Sequence, residues 1–274
     1  MPELPEVETV RRSLLACLKD LSVTAVSVRM PKLIQNLTAE EFTQAMIGRT
    51  VRDIKRRGKY LMVRLSGEYT LVIHLRMTGQ LRYSDPDVPE LPHTHIVIYL
   101  SDGKELRYTD IRQFGFWFLA PDDVIEQVSR IAALGPEPLE DSLTLELFSS
   151  LIVGKKGRIK ALLLNQQFVA GVGNIYADEA LFCAGIHPER KADTLTSAEI
   201  ASLYCSLRKV LAQGVCMRGT SFSDYVDGLG ERGSFQHELK VYGRAEELCS
   251  VCGTPIARLV VAGRGTHICP NCQK

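Results

Sequence analysis

The 274-residue sequence contains no apolar run long enough to cross a bilayer, and its start lacks the basic and apolar regions of a secretory leader. It also lacks a strong net charge, since 33 lysines and arginines oppose 32 aspartates and glutamates. The first absence excludes a membrane-spanning protein and favours a cytoplasmic one. The second excludes the strongly basic type of nucleic-acid binder. Hydrophobic residues at 45% and charged residues at 24% are typical of a soluble globular protein. The length allows two domains, or two domains and a small appendage.

The charges that do occur are segregated along the chain. Residues 122–146 carry seven acidic residues and a single base, Arg130, whereas residues 249–274 carry three bases and no acid. Bases also cluster at 55–59 and 155–160. This segregation favours a polyanion-binding face backed by an acidic one, and solvated charge runs are the alternative.

Hydrophobic periodicity predicts an α+β fold. Residues 5–18 repeat apolar positions at helical spacing and predict an amphipathic helix. Short β-rich runs then predict a β-sandwich or barrel, and helical patterns dominate from about residue 147. We predict a β-sandwich domain over 1–120, a linker over 121–146, a helical domain over 147–225 and a C-terminal β-hairpin over 238–274. The predicted strands include 60–65, 69–75, 95–100, 106–108 and 116–119, and the predicted helices are 143–151, 158–166, 174–184 and 197–215.

The eight cysteines form two sets. Two CxxC pairs separated by sixteen residues have the spacing of a four-thiolate zinc ribbon. Four thiolates close a tetrahedral site, so the pattern predicts one structural Zn²⁺, with disulfides as the alternative that a cytoplasmic location disfavours. The predicted ligands are Cys249, Cys252, Cys269 and Cys272. The other four, Cys17, Cys183, Cys205 and Cys216, lie among apolar residues and are predicted to be reduced core thiols.

The N-terminus Met1-Pro2-Glu3 is chemically suggestive. A small residue after Met1 usually allows its removal, which would leave Pro2 as a free secondary amine. An α-amino group titrates near ~7.7–8, so about a tenth of it is unprotonated at neutral pH. Condensation of a secondary amine with an aldehyde carbon gives a cationic iminium, an electron sink, and Glu3 is a candidate proton donor or acceptor. An ordinary chain start is the alternative.

Three further residues stand at turns. Arg264 lies between two glycines, which predicts a hairpin tip that can approach a ligand closely; a solvated turn cation is the alternative. Met77 and Phe114 each lie where a predicted strand passes into a turn. Hydrophobicity alone predicts core positions for both.

Three motifs, in order, resemble the bacterial formamidopyrimidine-DNA glycosylases, also called 8-oxoguanine DNA glycosylases. They are PELPEVET at 2–9, GVGNIYADE at 171–179, and the cysteine ribbon. The resemblance covers essentially the whole chain. It implies a β-sandwich, a helix–two-turn–helix domain and a zinc-finger hairpin. It also implies excision of oxidised purines from damaged double-stranded DNA in base excision repair, by a monomer that associates with the nucleoid and not with membranes.

The resemblance implies catalytic roles for four residues. In the family, the amine at Pro2 attacks deoxyribose C1′ and displaces the damaged base, while Glu3 donates and accepts the proton. The resulting iminium acidifies the C2′ hydrogens, so that the 3′ and then the 5′ phosphate leave by β- and δ-elimination. Lys59 matches a lysine of proton transfer and phosphate binding, and Arg264 matches an arginine that clamps phosphate during δ-elimination.

The resemblance also implies a DNA interface. Met77, Arg112 and Phe114 match the residues that fill the void left by a flipped nucleotide. Arg112 would hydrogen-bond the orphaned cytosine, which favours repair opposite C over A. The other implied DNA contacts are His74, His93, Lys155, Lys160, Asn174 and Tyr242. The base-capping loop corresponds to Thr220, Ser221, Phe222 and Asp224.

The chain departs from the family pattern in three places. Gln113 replaces a basic residue, Asn165 replaces an aspartate, and residues 217–224 lack one glycine and one arginine of the capping loop. These departures leave lesion preference open. The endonuclease VIII branch, which prefers oxidised pyrimidines, is the nearest rival, but it usually begins Pro-Glu-Gly-Pro where this chain has Leu4. A catalytically silent zinc-ribbon DNA-binding protein would require a blocked N-terminus or a misplaced Glu3.

Overall fold

The computed structural model describes residues 1–222 and 225–274, with the side chains of Glu126, Gln127 and Ser129 left aside. Contacts divide the chain into two compact units: Met1–Ala132 with Met217–Ser234, and Ala133–Cys216 with Phe235–Lys274. Residues 217–225 group with the β-rich first unit, and residues 133–146 group with the helical second unit.

The first unit begins with the predicted helix, α1, over Leu4–Leu18. Val7, Val10, Leu14 and Leu18 are each 1% exposed and form the stripe that packs into the core. Burial of side chains of this size stabilises the fold by about 1.5–3 kcal/mol each.

Two four-stranded antiparallel sheets follow, which confirms the predicted sandwich. Their strands are β1 Val23–Val28, β2 Val51–Arg57, β3 Tyr60–Leu65, β4 Tyr69–His74, β5 Gly79–Ser84, β6 Thr94–Leu100, β7 Glu105–Asp110 and β8 Phe116–Pro121. One sheet has the order β1-β6-β7-β5 and the other β2-β3-β4-β8. Trp117 is fully buried in the core, where its ring meets those of Phe42 and Tyr108 edge-on.

Three short α-helices also lie in the described part of this unit. The helix α2, Ala39–Met46, was not predicted, although Thr38 and Glu41 form a capping box at its start. The helices α3, Asp122–Gln127, and α4, Ser129–Ala132, follow β8 within the segment predicted as a linker.

The second unit contains four α-helices and a β-hairpin among its described residues. The elements are α5 Leu145–Ile152, α6 Ile159–Leu164, α7 Asn174–Ala184, α8 Ser197–Cys216, β9 Ala257–Val261 and β10 Arg264–Ile268. Thr196 caps α8: its hydroxyl accepts from Glu199 N, and the Glu199 carboxylate accepts from Thr196 N at 2.7 Å. In the described part of the chain, no helix is both long and apolar enough to cross a membrane.

The prediction of four core thiols is wrong. Cys17 is half-buried, and Cys183, Cys205 and Cys216 are exposed. On α8 the buried stripe runs through Leu203, Leu207, Val210 and Leu211, so Cys205 lies on a different face of the helix. Apolar neighbours in sequence therefore did not indicate burial.

Candidate active site

The N-terminal residues lie at the start of α1, where two carboxylates hold them. Pro2 is buried and Glu3 is only 2% exposed, whereas Met1 is 47% exposed. The Glu3 side chain accepts a hydrogen bond from the backbone of Glu6, and Glu6 Oε2 accepts from Glu3 N at 2.8 Å. This capping box stabilises the helix, and it also fixes the backbone next to Pro2.

Glu6 ties the N-terminus to the predicted capping loop. Its Oε1 accepts from Thr220 N at 2.7 Å, across 214 residues of sequence. Gly219 has a φ of 80°, and a Cβ there would lie 2.8 Å from Glu6 Oε1. The Tyr225 hydroxyl donates to Glu6 O at 3.2 Å. Sequence reasoning missed this role, since its only local signal was a glutamate at the third position of α1.

The described part of the predicted capping loop has two buried residues at its start, followed by the exposed Phe222. Thr220 and Ser221 are 5% and 3% exposed. Ser221 Oγ donates to Tyr225 O at 2.8 Å and accepts from Gly233 N at 3.0 Å. Phe222 is 54% exposed. Asp224, also predicted here, lies outside the described residues.

Lys59 is held in an enclosed position. Gly58 and Lys59 form the two-residue turn between β2 and β3, in which Gly58 has a φ of 54°. The Lys59 side chain is buried at 8% exposure, which is rare for lysine.

His74 ends β4 as a neutral hydrogen-bond donor. Its ring stacks on Phe116 with centroids 5.5 Å apart, and it is 7% exposed. Burial, together with the charges of Arg76 and Lys59, lowers the pKa of His74 to about 3. Its Nδ1 accepts from Arg76 N at 3.0 Å, which assigns the proton to Nε2.

The residues that match the void-filling triad are exposed. Met77 is 39% exposed and Phe114 is 55% exposed, so the core positions expected from hydrophobicity alone are wrong. The Arg112 guanidinium carbon lies 4.8 Å from the Phe114 ring centroid. His93, another predicted DNA contact in this unit, is exposed.

In the second unit, Asn174 and the hairpin of β9 and β10 are joined. Asn174 is the first residue of α7, and its Nδ2 donates to Gly265 O at 2.8 Å. The hairpin turn consists of Ala262 and Gly263, both with positive φ. Arg264 is therefore the first residue of β10 and not the tip predicted from its flanking glycines, and it is exposed.

Lys160 is fully buried, which differs from the direct DNA contact predicted for it. Its Nζ lies 2.6 Å from Asp178 Oδ1 and donates to Thr266 Oγ1 at 2.7 Å. Asp178 Oδ2 also accepts from His267 N at 2.9 Å. The ion pair thus fastens β10 to α6 and α7. Lys155, in contrast, is exposed in the connection between α5 and α6.

Glu179 positions the segment that carries Tyr242. Its carboxylate is 3% exposed and accepts from the backbone N–H groups of Lys240, Val241 and Tyr242 at 2.8–2.9 Å. Burial raises the pKa of Glu179, and these three bonds oppose the rise. The Tyr242 ring contacts His267 edge-on at 5.1 Å.

The four predicted zinc ligands lie together. All four Sγ atoms are within 4.8 Å of one another, with Cys249 and Cys272 at 3.9 Å and Cys252 and Cys269 at 3.4 Å. A tetrahedral zinc–thiolate site has Zn–S bonds of about 2.3 Å and hence sulfur atoms about 3.8 Å apart. The donor set and its spacing fit one zinc ion with no open position.

Comparison with known proteins identifies the family. Models of the formamidopyrimidine-DNA glycosylase N-terminal domain, its H2TH domain and the zinc finger found in FPG and IleRS match residues 1–117, 134–226 and 246–274. The formamidopyrimidine-DNA glycosylase of Heliobacterium modesticaldum is 50% identical over the full length of both proteins. The chain belongs to the formamidopyrimidine-DNA glycosylase family. The resemblance seen in the sequence is thereby confirmed.

Solved structures of relatives agree with this assignment. Wild-type Lactococcus lactis Fpg in complex with DNA containing N7-benzyl-Fapy-dG superposes with a TM-score of 0.94, 37% identity and full coverage of both chains. The same enzyme in complex with DNA containing an abasic site gives 0.94, 38% identity and 99% coverage of each chain. As a family member, the chain is a DNA glycosylase that acts on damaged DNA. Its four clustered cysteines hold one structural zinc ion.

Proposed function

We propose that this chain is a bifunctional glycosylase and abasic-site lyase that removes 8-oxoguanine and formamidopyrimidines from duplex DNA. The observation that carries the proposal is the N-terminus. Pro2 and Glu3 are buried side by side. The Glu6 carboxylate accepts hydrogen bonds from the backbone of Glu3 and from the backbone of Thr220 in the predicted capping loop. Catalysis by a nucleophile with an adjacent acid–base group requires such fixed geometry.

Base excision begins after loss of Met1. The lone pair of the Pro2 nitrogen forms a bond to deoxyribose C1′ while the glycosidic bond breaks with its electron pair moving to the base, and the N–H proton of Pro2 passes to the leaving base. A protonated Glu3 then gives its proton to O4′ as the C1′–O4′ bond opens, and the nitrogen lone pair forms the C1′ iminium. The nitrogen of this iminium carries no hydrogen, so the cation cannot be neutralised by loss of an N–H proton.

Strand cleavage follows from the iminium. Its positive charge acidifies C2′, so that loss of a C2′ proton expels the 3′ phosphate, and a second elimination expels the 5′ phosphate. Both leaving groups are anions that a cation stabilises. We assign this role to Lys59 and Arg264, and we assign a phosphate hydrogen bond to the neutral Nε2–H of His74.

Nucleotide flipping uses the exposed triad. Extrusion of a nucleotide costs a few kcal/mol of stacking and pairing. Met77 and Phe114 present apolar surface that can replace the lost stacking, and Arg112 can donate to the widowed cytosine. His93 is assigned to the backbone of the same duplex.

The second unit contributes phosphate contacts. Asn174 stands at the N-terminus of α7, where backbone N–H groups and the helix dipole favour an anion. Lys155, Tyr242 and Arg264 are the other residues assigned to phosphates. Because its substrate is DNA, we assign the protein to the nucleoid, in the cytoplasm.

Borohydride trapping tests the proposal. The protein is incubated with duplexes that contain 8-oxoguanine opposite C, an oxidised pyrimidine or an undamaged base, and intact mass shows whether Met1 is absent. A covalent adduct formed fastest on 8-oxoguanine is expected. Binding without any adduct would favour a silent DNA-binding protein and overturn the proposal. A faster adduct on the oxidised pyrimidine would favour the endonuclease VIII branch.

A further inference from the structure

The residues to which we assign DNA contacts at the flipping site lie on three short segments, 75–79, 91–95 and 111–115. Each segment contains a non-glycine residue in the left-handed region, namely Arg76, His93 and Gln113, with φ of 54°, 64° and 56°. Such conformations are unfavourable and persist where the surrounding structure holds them. The three segments therefore need a common support.

The carboxylate of Asp110 bonds to two of these segments. Asp110 is the last residue of β7 and is 0% exposed. Its Oδ1 accepts from Thr78 Oγ1 at 2.5 Å, and its Oδ2 accepts from Gly115 N at 2.8 Å and from the Tyr108 hydroxyl at 3.2 Å. The buried Asp110 carboxylate thus accepts hydrogen bonds from both the 75–79 and the 111–115 segment.

The Thr78 hydroxyl extends this link to Arg112. While it donates to Asp110, it also accepts from Arg112 N at 3.0 Å. Thr78 follows Met77 directly, and Arg112 is two residues from Phe114. Each triad residue is therefore linked to the Asp110 carboxylate. Met77 and Phe114 are each next in sequence to a residue that donates to it, and Arg112 donates to the Thr78 hydroxyl that does so.

The backbone of Asp110 reaches the third segment. Asp110 N donates to His93 O at 3.1 Å, and His95 Nε2 lies 2.9 Å from Asp110 O. The carbonyl of the left-handed His93 is therefore held by the residue whose side chain supports the other two segments.

Two glycines pack against the hydroxyl of Tyr108, beside Asp110. A Cβ at Gly115 would lie 1.7 Å from this oxygen, and a Cβ at Gly79 would lie 2.7 Å from it. Burial and the charge of Asp110 raise the pKa of Tyr108, so the hydroxyl stays protonated as a donor. Both loops close on one pair of buried side chains, Tyr108 and Asp110.

We propose that Asp110 is a positioning residue for nucleotide flipping, which locks the three segments into one rigid wedge before DNA binds. Preorganisation lowers the entropy lost when the wedge enters the duplex. The inference rests on the proposed function, since the wedge acts only on base-paired DNA. Asp110 itself is fully buried and does not touch the substrate.

Substitution of Thr78 tests the lock. Thr78→Val keeps the side-chain shape and removes the hydroxyl between Asp110 and Arg112. Single-turnover excision from an 8-oxoguanine:C duplex should fall about tenfold, as expected for loss of a hydrogen bond to a charged group. The preference for C over A in the opposite strand should shrink. Borohydride trapping on a single-stranded abasic oligonucleotide should not change, and Thr78→Ser should restore duplex excision. Asp110→Asn should show the same pattern, with a larger loss.

Thr70→Val is the matched control. Thr70 is 1% exposed in β4 of the same unit, and its hydroxyl donates to Asp122 Oδ1 at 2.5 Å. The Thr70→Val variant should leave unchanged the ratio of the excision rate on the duplex to the trapping yield on the single-stranded oligonucleotide. Equal losses in Thr78→Val and Thr70→Val, or equal losses on the two DNA substrates, would overturn the positioning role. If the unsubstituted protein forms no adduct at all, the proposed function fails instead.

Discussion

The two regions that carry the assigned site residues are held by different chemistry. In the first unit, the carboxylates of Glu6 and Asp110 accept hydrogen bonds from the backbone and from hydroxyl groups of distant segments. In the second unit, zinc thiolates and the buried Lys160–Asp178 pair hold the hairpin of β9 and β10, in which Arg264 is the first residue of β10. A hydrogen bond to a charged group contributes about 1.5–3 kcal/mol, whereas breaking a buried ion pair costs about 3–5 kcal/mol. The supports described for the first region are thus individually moderate, whereas the β9–β10 hairpin of the second region also has individually strong ones.

The sharpest separation of the two regions comes from Pro2→Gly. Glycine keeps an amine but loses the ring that orients it, and its imine can lose the nitrogen proton and become a weaker electron sink. Base excision should fall by about 10³-fold or more, on the scale seen when a catalytic nucleophile is removed. Zinc content should stay at the parent value, because the four cysteines lie in the second unit, and the variant should still fold. Pro31→Gly, at an exposed proline, is the matched control. Full excision activity in Pro2→Gly would contradict the mechanism.

The second region should respond most strongly to Lys160→Met. This change leaves the Asp178 carboxylate buried at 0% exposure without its cation. We expect a loss of about 3 kcal/mol in unfolding free energy and earlier release of zinc during denaturation. Arg158→Met removes a pair with Glu189 whose side chains are 52% and 41% exposed, and it should cost less than about 1 kcal/mol. Similar denaturation midpoints for the two variants would show that the buried pair does not hold the hairpin.

Local pattern was enough to predict many elements but not these supports. The strand at 60–65 was predicted residue for residue, because alternation and a glycine turn are both local signals. The burial of Lys160 was not predicted, since its partner Asp178 lies on the next helix. The hydrogen bond between Glu6 and Thr220 spans 214 residues, and the sequence around neither residue indicates it. Met77 shows the opposite failure, because hydrophobicity predicts burial where the folded chain exposes the side chain.

A smaller and pH-dependent effect should appear in the first region at His74. The pKa of His74 is about 3 in the folded protein and near 6.5 when unfolded. Between these values the unfolded chain binds a proton that the folded protein does not, so stability falls as pH drops from 6.5 towards 3. At pH 5 this loss is about 2 kcal/mol. His74→Gln should remove the loss, so its stability relative to the parent should improve by that amount between pH 8 and pH 5. A constant difference between the two proteins across this range would contradict the shifted pKa.

The smallest effect is expected from Arg264→Ala, which probes the second region without unfolding it. Arg264 is exposed, so its removal leaves no buried charge behind. If it contacts one phosphate, its loss should weaken binding of duplex DNA about tenfold and reduce the slope of log K against log salt by about 1. Lys209→Ala is the matched control, because it removes one charge from an exposed lysine of the same unit that has no assigned DNA contact. Binding titrations at four salt concentrations measure both slopes. Equal slopes in the two variants would mean that Arg264 acts only through the overall charge of the protein. A reduced slope in Arg264→Ala alone would indicate that this arginine, which begins the strand held by the buried ion pair, contacts one phosphate.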